Sequence, residues 1–107
     1  MKFKNFNIVR LVKENDLSKV IKTHKRSKED FSILFVSLWD ENSEKLMVKL
    51  YESSEEKAKT LYIVDSFNMP HSFVIYNTKV VPALVNVSKD NTEVIDYLPK
   101  VYECLEA

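Results

Sequence analysis

Residues Phe31 to Leu50 read FSILFVSLWDENSEKLMVKL, and this stretch decides the fold. It opens as a nearly unbroken apolar run, Ile33, Leu34, Phe35, Val36, Leu38 and Trp39, interrupted only by Ser37. A run this rich in β-branched and aromatic residues, without polar alternation, fits a strand buried on both faces, the central strand of a helix-covered sheet. It stops at Asp40-Glu41-Asn42-Ser43, short polar residues that turn a chain and cap a helix. Met47, Leu50, Tyr51, Ser54 and Ala58 then recur at helical spacing, which predicts a helix running to about Thr60. A buried strand that passes through a tight turn into a helix N-terminus is where α/β proteins often place their chemistry. This turn has no cysteine, histidine or glycine.

Outward from that stretch, Phe3, Phe6, Ile8, Val9, Leu11 and Val12 predict a first strand within residues 3–12. Asn15-Asp16 offers an N-cap, and Leu17, Val20, Ile21 and His24 follow at the i, i+3, i+4 and i+7 positions of an amphipathic helix. His24 closes that stripe as a boundary residue. On the C-terminal side, Ser53 to Lys57 forms a polar patch, and Leu61 to Asp65 is a short β-rich run. Pro70 suits the first turn of a helix, which would carry Phe73, Val74 and Tyr76 and end at Asn77, a residue tolerant of a left-handed cap. Val80 to Val87 predicts a strand with Pro82 near its start, Ser88 to Asn91 a turn, and Thr92 to Ile95 the return strand of a hairpin. A helix from Leu98 to Leu105, with Pro99 in its first turn, closes the chain. The order β-α-β-α-β-α-β-β-α defines an α/β fold, a mixed sheet with helices on both faces, in one domain over residues 1–107.

Bulk properties exclude several functions. Sixteen basic and sixteen acidic residues give no net charge among 107, so no global field draws the chain to nucleic acid or an anionic membrane. The basic run from Lys19 to Lys28 reads as a solvated helix end whose charges complement the helix dipole. Glycine is absent, which eliminates P-loops and dinucleotide-binding fingerprints and leaves left-handed turns to Asn and Asp. A lone cysteine, Cys104, forms no intramolecular disulfide. The start MKFKNFNIVR lacks a long apolar region, and no apolar run approaches the roughly 18 residues of a membrane span. No membrane partner and a cytoplasmic location are expected. The Lys-, Asn- and Ile-rich, glycine-free composition points to an AT-rich genome, such as that of a bacteriophage or other virus.

Two local patterns, set in this element order, resemble the thioredoxin family. Tyr76-Asn77-Thr78-Lys79-Val80-Val81-Pro82 is similar to the family's Tyr-Gly-(Ile/Val)-Arg-Gly-(Ile/Val)-Pro, which ends in its cis-proline. Asn77 stands for the capping glycine and Val80 for the second glycine. Leu38-Trp39-Asp40-Glu41-Asn42-Ser43-Glu44-Lys45-Leu46 aligns without gaps on Phe-Trp-Ala-Glu-Trp-Cys-Gly-Pro-Cys, retaining Trp39 and Glu41. The resemblance covers about Phe3 to Leu105 and implies a thioredoxin-like fold. It also assigns three replacements: Ser43 at the nucleophilic cysteine, Leu46 at the resolving cysteine and Ser37 at the buried aspartate. Thiol–disulfide exchange needs a thiolate and a second thiol to resolve the mixed disulfide, so dithiol oxidoreductase activity is not expected.

What the resemblance leaves is a groove that binds without reacting. Trp39, Asn42, Ser43, Val81 and Pro82 are its expected residues, with another protein or an extended peptide as partner, paired along the Val81 backbone as an added strand. No cofactor is implied. Metal ligation finds no support, since His24 and His71 are far apart in sequence and the acids Asp40, Glu41 and Glu44 suit a helix start. Ser43 lacks an adjacent histidine base. The alternative function is a thiol-dependent enzyme or redox sensor acting through Cys104. Its neighbours Glu103 and Glu106 offer a thiolate no stabilising positive charge.

Overall fold

In the computed structural model, residues 3–4, 6–53 and 59–106 are described. Their elements are β1 (Phe6–Arg10), α1 (Asp16–Ser27), β2 (Phe31–Val36), α2 (Glu41–Glu52), β3 (Lys59–Asp65), a 3₁₀ helix (Pro70–Val74), β4 (Ala83–Val87), β5 (Thr92–Ile95) and α3 (Leu98–Leu105). The strands form one sheet in the order β1-β3-β2-β4-β5. β3 pairs in parallel with both β1 and β2, while β2–β4 and β4–β5 are antiparallel. The mixed sheet and the element order are those the sequence predicts, with the third helix taking 3₁₀ form.

β2 is the middle strand, and all its residues are buried. Successive side chains of a strand point to opposite faces. Leu34 and Val36 therefore join one layer, where Leu46 and Leu50 of α2 and Val101 and Leu105 of α3 pack against the sheet. Phe31, Ile33 and Phe35 join the other, under Leu17 of α1 and Met69, with Val20, Ile21, Phe73 and Tyr76 partly buried beside them. Two covered faces explain why this stretch shows no polar alternation. Its one polar residue, Ser32, donates to Asn86 Oδ1 at 2.6 Å on the paired position of β4. At the edge of the second layer, His24 stacks on Phe31 with ring centroids 4.5 Å apart and lies 2.9 Å from Tyr62 Oη through Nε2.

Several boundaries differ from the sequence reading. The first strand is limited to Phe6–Arg10; Phe3 forms an isolated bridge to Glu106, and Val12 is exposed beyond the strand end. The helix predicted to reach Thr60 ends at Glu52, because Ser43, Leu46 and Leu50 already complete its buried face, while Lys59 and Thr60 are drawn into β3 as partners of Phe6 and Asn7. Tyr51, assigned to the apolar stripe, is exposed; Ser54, Ala58 and most of the Ser53–Lys57 patch lie outside the described residues. Leu38 and Trp39 fall beyond β2, and β4 starts at Ala83, after Pro82.

Capping also differs. Asn15 makes no side-chain cap; Asp16 instead accepts the Lys13 N–H at 3.0 Å and the Val12 N–H at 3.4 Å, tying down the approach to α1. In a chain without glycine, Asn77 takes the left-handed conformation at φ 54°, as its side chain predicts. Lys28 takes it too, at φ 59°, where α1 must stop before β2 begins. Composition leaves left-handed turns to Asn and Asp, yet this one falls to a lysine; the need to end the helix outweighs a local penalty on the order of 1–2 kcal/mol.

Two outcomes follow from these caps. In urea denaturation, Asn77→Gly holds or raises stability, whereas Asn77→Val lowers it by about 1–2 kcal/mol, since a β-branched residue resists positive φ. The Lys13 N–H, aided by the Val12 N–H and by the charges of Lys19 and Lys13, holds the Asp16 carboxyl below the ordinary Asp value. A depressed folded-state pKa contributes stability above the unfolded value and loses it as pH falls through the folded one. Asp16→Asn should therefore lower the thermal midpoint near pH 6, and the gap should close on acidification; a gap constant with pH would rule this out.

Candidate functional site

Strand direction brings four loops to one end of the sheet. β1, β2 and β3 run in parallel, so their C-terminal ends lie together, with Arg10 opposite Ile63 and Val36 opposite Asp65. β4 runs the other way, and Ala83 opposite Phe35 places its start at that same end. The loops after β1, β2 and β3 and the Thr78–Pro82 segment before β4 therefore converge. Backbone and side-chain bonds tie them: the Ser66 N–H donates to Val36 O at 3.0 Å, and Ser72 Oγ donates to Glu14 O at 3.2 Å.

The strand–turn–helix junction at this end is built as a cap. Asp40 is extended (φ −97°, ψ 122°), and its Oδ2 accepts both the Ser43 N–H at 2.8 Å and the Ser43 hydroxyl at 3.0 Å. Ser43 Oγ in turn accepts the Ser37 N–H at 3.2 Å, and Ser37 Oγ accepts the Trp39 N–H at 3.4 Å. Ser43 is only 1% exposed, and Leu46 is fully buried in the core. Both roles of the Ser43 hydroxyl are thus taken up internally, and no histidine takes part in the cap. With one cysteine in the sequence, no Cys-x-x-Cys dithiol exists here.

The buried acid at this end is Asp65, which the sequence reading treated only as the end of a strand. Its Oδ1 accepts the Phe67 and Asn68 N–H groups at 3.0 and 2.8 Å; its Oδ2 accepts Asn68 Nδ2 at 2.9 Å and lies 3.6 Å from the Arg10 guanidinium. A carboxylate so fully paired organises the loop after β3. The short Asp-Ser-Phe-Asn spacing was the available signal, because Asp side chains cap their own following backbone. The Arg10 contact is nonlocal and has no such signal.

Exposed apolar side chains stand on the loops around this junction. Trp39 is 84% exposed, Val74 77% and Phe67 66%, and Val12, Leu38, Ile75 and Val80 are also exposed, all on the converging loops or the 3₁₀ helix before β4. Isolated exposed apolar residues are ordinary; here several stand on loops that converge at one end of the sheet. Of the groove residues expected from sequence, Trp39 and Asn42 reach this surface, Val81 is half-buried, and Ser43 and Pro82 lie beneath it. The Val81–Pro82 bond is cis, and among the described residues no hydrogen bond engages the Val81 backbone. Sequence reasoning missed Val12, Leu38, Phe67, Ile75 and Val80 as surface residues, since apolar side chains within loops read as core.

Cys104 lies elsewhere. It is partly buried on α3 against the first layer and borders a hollow with Ser32 and Asn86, at the opposite end of β2 from Trp39. Among the described residues, no cluster of His, Cys, Asp and Glu could hold a metal ion, and no helix is long and apolar enough to cross a membrane.

The sheet order, the two helical layers and the position of the junction are those of a thioredoxin-like fold. Solved thioredoxins share it: NaTrxh from Nicotiana alata is similar with a TM-score of 0.71 at 9% identity, covering 97% of this chain and 94% of that one. Schistosoma mansoni thioredoxin gives 0.67 at 16% identity over 92% and 93% of the two chains, and thioredoxin O2 from Arabidopsis thaliana 0.66 at 18% over 94% and 96%. At such identities the likeness is one of fold. No family model matches the sequence, and no curated protein matches it either.

The cap is testable by stability. Asp40→Ala should cost about 1–2 kcal/mol in chemical denaturation by freeing the Ser43 N–H and hydroxyl together; a loss below about 0.3 kcal/mol would show that Asp40 does not anchor α2.

Proposed function

We propose that this chain is a non-catalytic thioredoxin-like binding module that holds another protein through the apolar end of its sheet. One observation supports this most: the contact surface remains while the reactive positions are enclosed. Trp39 stands 84% exposed, whereas Ser43 and Leu46, aligned with the two cysteines of thioredoxins, are buried in a cap and a core. Oxidoreductases with this fold need a thiolate that can reach its substrate. Here the aligned positions offer neither sulfur nor access. Exposed Trp, Phe and branched aliphatic side chains on loops held by a rigid sheet are the kind of surface that anchors a protein partner.

An extended partner segment fits best, because the half-buried Val81 lies two residues before Ala83, the partner of Phe35, and its backbone makes no hydrogen bond among the described residues. The module works in the cytoplasm and, on composition, belongs to an AT-rich genome such as a phage's. Cys104 takes no part, lying at the other end of β2.

Two measurements test the reading. With a reducing partner present, the chain should not reduce insulin; turnover at thioredoxin-like rates would sink the proposal. Against the partner recovered by pull-down from the source organism, Trp39→Ala and Val81→Asp should each weaken binding about thirtyfold, the effect of a central interface anchor. Cys104→Ser should leave affinity unchanged. Unaltered affinity in both folded site variants would move the interface elsewhere.

A further inference from the structure

Adjoining the junction through Ser37, Leu38 and Ser43, a cleft of about 530 Å³ opens between α2 and the C-terminal ends of β1 and β2. Its volume lies within the roughly 300–1,000 Å³ of small-molecule sites. Val36, Leu38, Met47, Val48 and Tyr51 form its apolar walls. Leu38 and Val48 remain half-exposed there, although α2 faces a well-filled core on its other side. Leu38 belongs to the strand-end loop; Met47, Val48 and Tyr51 share the helix face that the Leu46–Leu50 stripe leaves outside.

Charge decides what this cleft accepts. Among the described residues, three charged ones line it: Arg10, Glu44 and Glu52. The Arg10 guanidinium is already neutralised by the buried Asp65 carboxylate, 3.6 Å away. Glu44 and Glu52 flank Val48 along one ridge of α2, and neither forms an ion pair among the described residues. The lysines of α2 are engaged away from the cleft, Lys45 with Glu41 at 3.0 Å and Lys49 over the Tyr102 ring at 5.2 Å. What remains at the rim, among the described residues, is two carboxylates outside any ion pair above apolar walls that include an aromatic ring.

We propose that this cleft binds a small organic cation, an ammonium group carried on a compact apolar body. The apolar body fills the space between Leu38 and Val48, and the ammonium lies at the Glu44–Glu52 ridge near the Tyr51 ring, an arrangement favoured by both Coulomb attraction and cation–π contact. An anion of the same shape meets two carboxylates and an arginine already paired. The proposal does not depend on the protein-binding role of Trp39, although the Ser37-Leu38 loop joins the two surfaces.

Three probes with one ring and different heads test it: benzyltrimethylammonium, benzyl alcohol and phenylacetate. Each is titrated into the full chain while the Met47, Leu38 and Val48 methyl resonances are followed by NMR. The expected result is saturable shifts confined to those residues and their neighbours, with affinity in the order cation, neutral, anion. Glu44→Gln combined with Glu52→Gln should weaken cation binding about tenfold and leave benzyl alcohol unaffected. Val48→Trp, at an exposed helix position, should block all three at an unchanged thermal midpoint. Phenylacetate binding as tightly as the cation, shifts scattered over the surface, or a double variant that keeps full cation affinity would each overturn the proposal. The probe comparison on the unmodified chain decides the matter even where a variant fails to fold.

Discussion

The fold depends on one constraint: Phe31–Val36 has no face that water can tolerate. A six-residue strand buried on both sides requires a strand on each edge and helices above and below. β3 and β4 supply the edges, α2 and α3 one cover, and α1 with the 3₁₀ helix the other. The direction of the neighbours then decides where the loops gather. Because β3 is parallel to β2 and β4 antiparallel, the end of β2 meets the end of β3 and the start of β4. With the loop after β1, which is also parallel, four loops are brought together there.

Much of this is legible in the sequence for local reasons. The apolar run fixes β2, Pro70 marks a helix start, Asn77 supplies a positive φ without glycine, and Ser88 to Asn91 closes a hairpin through the Ser88 N–H to Asn91 O bond of 2.8 Å. Each depends on residues adjacent in the chain. What cannot be read this way depends on residues distant in sequence. α2 stops at Glu52 because Lys59 and Thr60 are needed against β1, a pairing spanning some fifty positions. The Arg10–Asp65 pair joins two strands for the same kind of reason. Trp39 and Leu38 continue the apolar run in the sequence yet leave the strand, because hydropathy does not distinguish a strand's last residue from the first exposed one of a loop. The candidate groove was half legible as exposure: of its expected residues Trp39 is exposed, while Ser43 and Pro82 are buried and Phe67, Val74 and Val80 are exposed on the neighbouring loops.

The junction itself shows how a chain can answer the electrostatics of a helix start with its own side chains. The first turn of a helix exposes N–H groups and a partial positive charge, which can stabilise an anion such as a thiolate. In this chain that potential is already engaged. The Asp40 carboxylate accepts the Ser43 N–H and hydroxyl, and Glu41 and Glu44 add two more negative charges in the same turn. The positive end of α2 is therefore answered by the protein's own acids.

That local neutralisation links the two surfaces described above. With Asp40 occupied in the cap and Arg10 paired with Asp65, Glu44 and Glu52 form a ridge of α2 between the cleft and the hollow that holds Lys45 and Lys49. Glu44 and Glu52 border the cleft, while Lys45 and Lys49 are engaged by Glu41 and Tyr102. The Trp39 end, by contrast, gains its character from exposed apolar side chains. A molecule with no net charge thus carries an apolar patch fixed by strand direction and an acidic-rimmed cleft fixed by the periodicity of one helix. Both follow from the same junction. The cap that encloses Ser43 sets where α2 begins, and that start sets which of its residues face the core, the cleft and the solvent.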